Sequence, residues 1–368
     1  MATSNPYELW QRSRLLGVMR DVRRETWQFG EYFPTTVLAD DEYIDFEKIP
    51  LRGRKVAPYV MPKGRGLSVY GDRQIAYRFK PANVVVEEPI DDDKGLTFEA
   101  GIDPSMIHPD LHLSDPMVRR NLLKAQMTAE AVLSIERRWE QQRAEVLRTG
   151  KLSITYLSGE SFLLDFQRDA GHTEVLTSGN RFGDSGVSVM DTIQRILDTM
   201  NNATFGGVPV KIVMGGLVWS KIRKDAELKA AMDAFRPYGN INIERGLVSG
   251  GNQGGKVFQV GTIGVGGNEG QTIELWVNNE TYDVNGSQVR YIGANEMLFL
   301  STPSAIMGVR CFGRIKDIDA RFQATPIFPK NFMTGERVKT ENLSFESAPL
   351  HVAVNPNATY LLTPVAAS

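Results

Sequence analysis

The sequence predicts an α+β fold in which packed regions carry long extended segments. Three observations support this. Residues 115–149 hold one unusually long amphipathic helical pattern. From about residue 257 onward, short strand-like runs follow one another with glycine and asparagine between them. Residues 51–90 alternate polar and apolar side chains around a glycine-rich middle, which suits a long two-stranded excursion.

Length and composition set the bounds. The 368 residues suit two domains, or one with large insertions. Hydrophobic residues make up 42% and charged residues 23%, enough for a substantial core. The formal net charge of -2 and sequence pI of about 6.2 argue against a dedicated nucleic-acid reader, which carries a basic face. The single cysteine, Cys311, rules out an internal disulfide framework and a thiolate metal cluster, and its neighbours Val309, Arg310 and Phe312 predict a buried, inert thiol in a strand. Neither a secretory signal nor a run of about 18 apolar residues is present, so the chain reads as soluble and intracellular when made.

Residues 1–50 have too few apolar positions for a core of their own. Leu9, Leu15, Leu16, Val18 and Met19 allow a short helix, Phe33 to Leu38 reads as extended, and the segment is expected to lie on another surface. In residues 51–90, Arg54 to Val60 forms the outgoing strand. Ile75, Tyr77 and Phe79 alternate with polar neighbours on the return, and an isolated hairpin of this kind needs a partner surface.

Residues 91–185 contain the long helix. Asp115 is a good N-cap, Pro116 fits the first helical position and Gly150 fits C′. Val118, Leu122, Ala125, Ala129 and Val132 form its apolar stripe, extended by Trp139, Val146 and Leu147. At 1.5 Å per residue it would run about 50 Å and act as a spine. The rest of its surface is charged, and solvent or neighbouring subunits would serve it equally well. A hairpin follows, Ser153–Leu157 with Phe162–Phe166.

Residues 186–312 read as mixed α+β. Ser188 with Asp191 resembles a capping box ahead of Ile193, Ile196, Leu197 and Met200. Val208 to Met214 reads as a strand. Ser220 is expected to cap a third helix ending near Phe235. Strands are expected near 257–263, 272–277, 280–284, 289–292, 297–301 and 305–311. Residues 313–368 read as irregular, with strands near 345–353 and 359–365.

No pattern of catalytic chemistry is complete. Gly264-Val265-Gly266-Gly267-Asn268-Glu269 fails the dinucleotide fingerprint at its last position, and strands follow where a helix is required. Gly183-Asp184-Ser185-Gly186-Val187 fails the hydrolase elbow in the same way. His108 and His112 stand four apart, but Pro109 interrupts them and the expected glutamate is missing. The acidic run Glu87-Glu88 with Asp91-Asp92-Asp93 fits a solvated loop better than a cation site. No catalytic residue, cofactor or metal is therefore predicted.

Several segments in order carry a resemblance. They are Phe33-Pro34-Thr35-Thr36 before Asp41–Phe46; Lys55-Val56-Ala57-Pro58-Tyr59-Val60-Met61-Pro62; Tyr77-Arg78-Phe79-Lys80-Pro81-Ala82; Ile273-Glu274-Leu275-Trp276-Val277 with Tyr282; and Ser347-Ala348-Pro349-Leu350-His351-Val352 with Asn355-Pro356-Asn357-Ala358. Over most of its length the chain resembles the lambda-type major capsid proteins of tailed phages, the major capsid protein E family. His351 departs from the family pattern, where a proline is commoner.

The resemblance implies the Hong Kong 97-type capsid fold. On it, 1–50 is an N-terminal arm, 51–90 an extended loop, 91–185 a peripheral domain with a spine helix at 115–149, 186–312 an axial domain, and 313–368 a return to the peripheral domain. It implies self-assembly, through hexamers and pentamers, into an icosahedral shell around double-stranded DNA that is not bound sequence-specifically and involves no membrane. A scaffolding protein, a portal, a maturation protease and a decoration protein are implied partners. Candidate inter-subunit contacts are Lys63, Arg65, Asp72 and Arg73 on the loop, and Arg119, Arg137 and Arg138 on the helix. No lysine–asparagine cross-link is predicted. Two rival readings are an encapsulin-like nanocompartment, which would hold cargo enzymes, and a soluble enzyme, which would need a pocket with a converging acid and base.

Overall fold

The computed structural model describes residues 9–22, 27–41, 43–48, 75–90, 116–156, 158–225, 256–265, 271–284, 286–336 and 339–366. The chain opens with helix α1 (Arg12–Asp21), a 3-10 turn (Gly30–Tyr32) and strand β1 (Thr35–Ala39). Strands β2 (Ile44–Lys48) and β3 (Ile75–Phe79) pair antiparallel, so the chain that leaves at Lys48 returns beside itself at Ile75. The expected outgoing strand at 54–60 lies outside the described residues. Strand β4 (Val84–Ile90) follows.

The long helix is α2 (Pro116–Thr149), 34 residues and so about 51 Å long. Pro116 stands at its first position, as its sequence predicts, whereas Asp115 lies outside the described residues. Gly150 ends it at φ +66, donating its N–H to the Val146 carbonyl, and there an L side chain would be strained. A hairpin of β5 (Lys151–Thr155) and β6 (Ser161–Asp165) follows, shifted from the expected 153–157 and 162–166. Then come β7 (Thr173–Val175), helix α3 (Val189–Asn202), β8 (Pro209–Met214) and helix α4 (Gly216–Ile222). Ser188 caps α3, its hydroxyl accepting from Asp191 N at 3.1 Å.

Ser220 does not cap a helix. It lies inside α4 and its hydroxyl donates back to the Leu217 carbonyl, because the helix begins earlier, at the Gly215-Gly216 break. The expected extension to Phe235 lies outside the described residues.

The remaining elements are β9 (Val257–Val265), β10 (Gln271–Asn278), β11 (Thr281–Val284), β12 (Ser287–Arg290), β13 (Met297–Ser301), a short helix α5 (Pro303–Ile306), β14 (Gly308–Gly313), β15 (Phe328–Thr334), β16 (Thr340–Ser347), β17 (Pro349–Ala353) and β18 (Thr359–Thr363). Three expectations need correction. Residues 313–368 are not mainly irregular: β15 and most of β16 pair where no strand was expected, with Phe328 and Leu343 buried against other elements. The strand expected at 305–311 begins only at Gly308, since Pro303 starts a helical turn that Met307 closes in the left-handed region. The strand expected at 289–292 sits two residues earlier, because Asp283 Oδ1 accepts from Gly286 N and sets a tight turn.

Three sheets dominate. A six-stranded mixed sheet runs β7-β18-β13-β8-β10-β9. Helix α3 covers one face, setting Ile193, Ile196, Leu197 and Met200 on Ile212, Met214, Ile273, Phe299 and Leu362. The other face joins a second core with Val146 and Leu147 at the end of α2 and Leu152 of β5. Burial from both faces explains why β13 reads Met-Leu-Phe-Leu without alternation. A three-stranded sheet, β15-β16-β4, packs on the middle of α2 through Ile90, Leu343 and Phe345 against Val132, Ile135 and Trp139. The third sheet, β1-β14-β17, joins the arm to the second core. Helix α2 thus contacts the second core and the core beneath β15-β16-β4, and acts as a spine. Cys311 in β14 is buried, and burial pushes its thiol up to about 12, so it is unreactive.

Candidate assembly surfaces

The charged face of α2 is where sequence left two readings open, and the structure gives much of it a third. Lys124, Glu136, Glu140 and Arg143 are buried against the chain's own elements. Glu341 of β16 lies between Lys124 and Arg120, the latter 2.9 Å away, and also accepts from Asn331. Burial alone would raise the Glu341 pKa. Hydrogen bonds from Lys124, Asn331 and Arg120 outweigh it and hold the carboxyl below its usual range.

About three turns further on, α2 grips the arm. Glu136 Oε2 accepts from Trp27 Nε1 at 3.2 Å, and Glu140 accepts from Phe29 N at 2.7 Å and from Arg143 at 3.1 Å. Burial pushes the Glu140 carboxyl upward. The same stretch reaches the six-stranded sheet: Gln28 Oε1 accepts from Asn278 Nδ2, and Glu31 pairs with Lys211. Residues 27–34 therefore form a strap between the spine and that sheet. Beneath it, buried His351 places Nδ1 2.9 Å from Gln142 Oε1 and meets the Phe33 ring edge-on.

Of the predicted contact residues, Arg137 and Arg138 can be followed to their partners. Arg137 pairs with Glu130 at 2.9 Å, and exposed Arg138 donates to Gln141. Arg119 lies in the first turn of α2, where only the backbone is described. Lys63, Arg65, Asp72 and Arg73 lie outside the described residues. Sequence reasoning missed the inward carboxylates. The available signal was that Glu136, Glu140 and Arg143 share one helix face at spacings of four and three, with opposite charges able to pair.

Among the described residues no group of three or more His, Cys, Asp or Glu could hold a metal. No described helix is long and apolar enough to cross a membrane. An open groove of about 920 Å3 runs between β4, α2 and the β5–β6 hairpin, lined by Val85, Arg138, Glu145, Ile154 and Phe162 among others.

The profile of the family described as phage major capsid protein E matches residues 22–363. A solved structure of a protein assigned as the capsid protein of an Escherichia coli CFT073 prophage aligns over 97% of this chain and 100% of its own, with a TM-score of 0.69 and 16% identity. The capsid of cyanophage P-SCSP1u aligns over 94% of this chain and 90% of its own, at a TM-score of 0.45 and 10% identity. An encapsulin from Synechococcus elongatus PCC 7942 aligns over 95% of each, at 0.39 and 9%. No curated protein matches the chain.

Proposed function

The chain belongs to the phage major capsid protein E family, and from that premise we propose that it is the self-assembling wall of an icosahedral head enclosing double-stranded DNA in a tailed phage. Its fold is the Hong Kong 97-type capsid fold, and the protein is a structural component of the virion. The observation that carries the reading is the family match across residues 22–363.

Assembly would join copies into hexamers and pentamers in the host cytoplasm. Closed symmetry multiplies modest contacts into a stable shell. The excursion that leaves at Lys48 and returns at Ile75 is assigned to a neighbouring copy, with Lys63, Arg65, Asp72 and Arg73 as contacts. Residues 186–312 would face the symmetry axes, and the spine and the β15-β16-β4 sheet would form the periphery. The near-neutral charge suits a wall that contains DNA without gripping it. A scaffolding protein, a portal and a decoration protein are the expected partners. The reading assigns no catalytic step to the chain.

Negative-stain electron microscopy of the purified, overexpressed chain, with and without its candidate scaffolding protein, tests this. Shells, tubes or capsomer rings are expected. A uniformly monomeric protein in both conditions would overturn the reading. Particles free of nucleic acid and filled with a host enzyme would favour the encapsulin-like alternative.

A further inference from the structure

We infer that the loop Ile315–Ala324 is a preformed apolar contact through which one copy of this chain grips a second. This inference rests on the shell reading above and assigns it a specific surface.

Ile318 is 80% exposed, the most exposed of the large apolar side chains among the described residues, and Phe322 on the same loop is 50% exposed. Between them Ala320 turns inward and packs with Ile315, Phe328 and Ala348. The loop is therefore anchored from below while presenting two large apolar groups outward.

The loop is also rigid. Asp317 accepts from Asp319 N at 2.7 Å through its carboxylate, and from Ala320 N at 3.2 Å through its carbonyl. Lys330 of β15 clamps both carboxylates, at 2.7 Å to Asp317 and 2.6 Å to Asp319. Arg321 N donates to Ile318 O, and Ile315 N to Gln323 O. Asp40, just after β1, accepts from Ala324 N at 2.6 Å. The exposed side chains are thus held in place before any partner arrives, which lowers the ordering cost of binding.

Backbone strain is the second, independent observation. Arg321 and Phe322 both adopt positive φ, at 53 and 54. Two consecutive left-handed residues call for glycine or asparagine, and an aromatic residue there is unfavourable. A loop serving only as a connection gains nothing from Phe at such a position. A loop that must present an apolar ring does.

The partner follows from charge and setting. Lys316, Arg321 and Lys330 balance Asp317, Asp319 and Asp40, so the loop and its clamps have no net attraction for DNA or an anionic surface. An apolar pair on a balanced rim fits a protein surface. In a shell built from one chain, that surface is supplied by the adjacent copy, through a head-to-tail contact that can close into rings.

The test compares full-length wild type with Ile318→Ser, Phe322→Gly and Ile318→Leu, under whichever assembly condition yields wild-type particles. Particle yield is read by sedimentation and electron microscopy, and folding by thermal melting of the unassembled chain. Ile318→Ser and Phe322→Gly should each lower particle yield about tenfold or more, the loss expected for a buried apolar anchor. Phe322→Gly should melt no lower than wild type, since glycine relieves the strain. Ile318→Leu should assemble normally. Wild-type particle yields from both Ile318→Ser and Phe322→Gly would overturn the inference and hand the loop to a different protein. A lower melting temperature for Phe322→Gly would also count against it, by giving the ring a role within the fold. Failure of wild type to assemble at all would instead remove the shell reading itself.

Discussion

His351 is fully buried and bordered by groups that cannot tolerate its charge. Its Nδ1 meets Gln142 Oε1, and the Gln142 amide nitrogen in turn faces the Pro349 carbonyl, so Nδ1 carries the proton of a neutral ring. Burial, and then the nearby Arg143 and Arg310, hold its pKa well below 6.5. The unfolded chain therefore binds a proton that the folded chain refuses once pH drops below about 6.5, and stability must fall in that direction. Glu140 works oppositely: its raised pKa means that its contribution is lost as pH rises above its ordinary value of 4.5. Comparing wild type with His351→Leu separates the two. The variant should lose about 1 kcal/mol at pH 7 with the Gln142 bond, yet its melting temperature should fall less between pH 7 and pH 5. Parallel pH profiles for the two proteins would refute the assignment. Sequence alone marked His351 as a departure from its family without a consequence. The consequence depends on residues 41 and 209 positions away, Arg310 and Gln142, which only the fold brings together.

The spine helix shows which features an element reveals locally. Its start at Pro116 and its end at Gly150 were legible because capping depends on a few adjacent residues. A Cβ at Gly150 would lie 2.6 Å from Arg168 Cβ, at φ +66. Gly150→Ala should therefore destabilise the chain by about 1–3 kcal/mol, seen as a lower denaturation midpoint in urea. An unchanged midpoint would mean that the turn adjusts freely. The direction of the helix's charges was not legible. A helix with one buried stripe exposes its other faces, but α2 is met by the β15-β16-β4 sheet, by α1 and by the strap, so Lys124, Glu136 and Glu140 face protein on sides that periodicity assigns to solvent. Strand β1 was legible as extended chain from its Thr-Thr-Val-Leu run. Its parallel partner Val309–Gly313 was not, since no local pattern encodes a pairing across most of the chain.

At the scale of the molecule, the arm decides how much of the subunit stands alone. Composition gave residues 1–50 too few apolar positions for a core, and so a surface to lie on. Part of that surface is the chain itself: Trp10, Leu15 and Met19 are buried with Ala131, Val132 and Ile135 of α2, Trp10 Nε1 donates to Asn121, and Arg12 stacks on Phe328. Burying side chains of this size is worth about 1.5–3 kcal/mol each, and ordering a ten-residue helix offsets much of that gain. A chain lacking residues 1–26 should therefore be less stable before any assembly, by a net of about 1–3 kcal/mol, with a lower melting temperature by calorimetry at concentrations where no particles form. An arm that served only neighbouring copies would give the opposite outcome: the truncated, unassembled chain would melt like wild type, and only its particles would weaken. The docking of α1 on the spine favours the first outcome. It also means that the strap at 27–34 is held at both ends, by α1 on one side and by β1 on the other, so truncation should loosen the link between the spine and the six-stranded sheet as well as the arm.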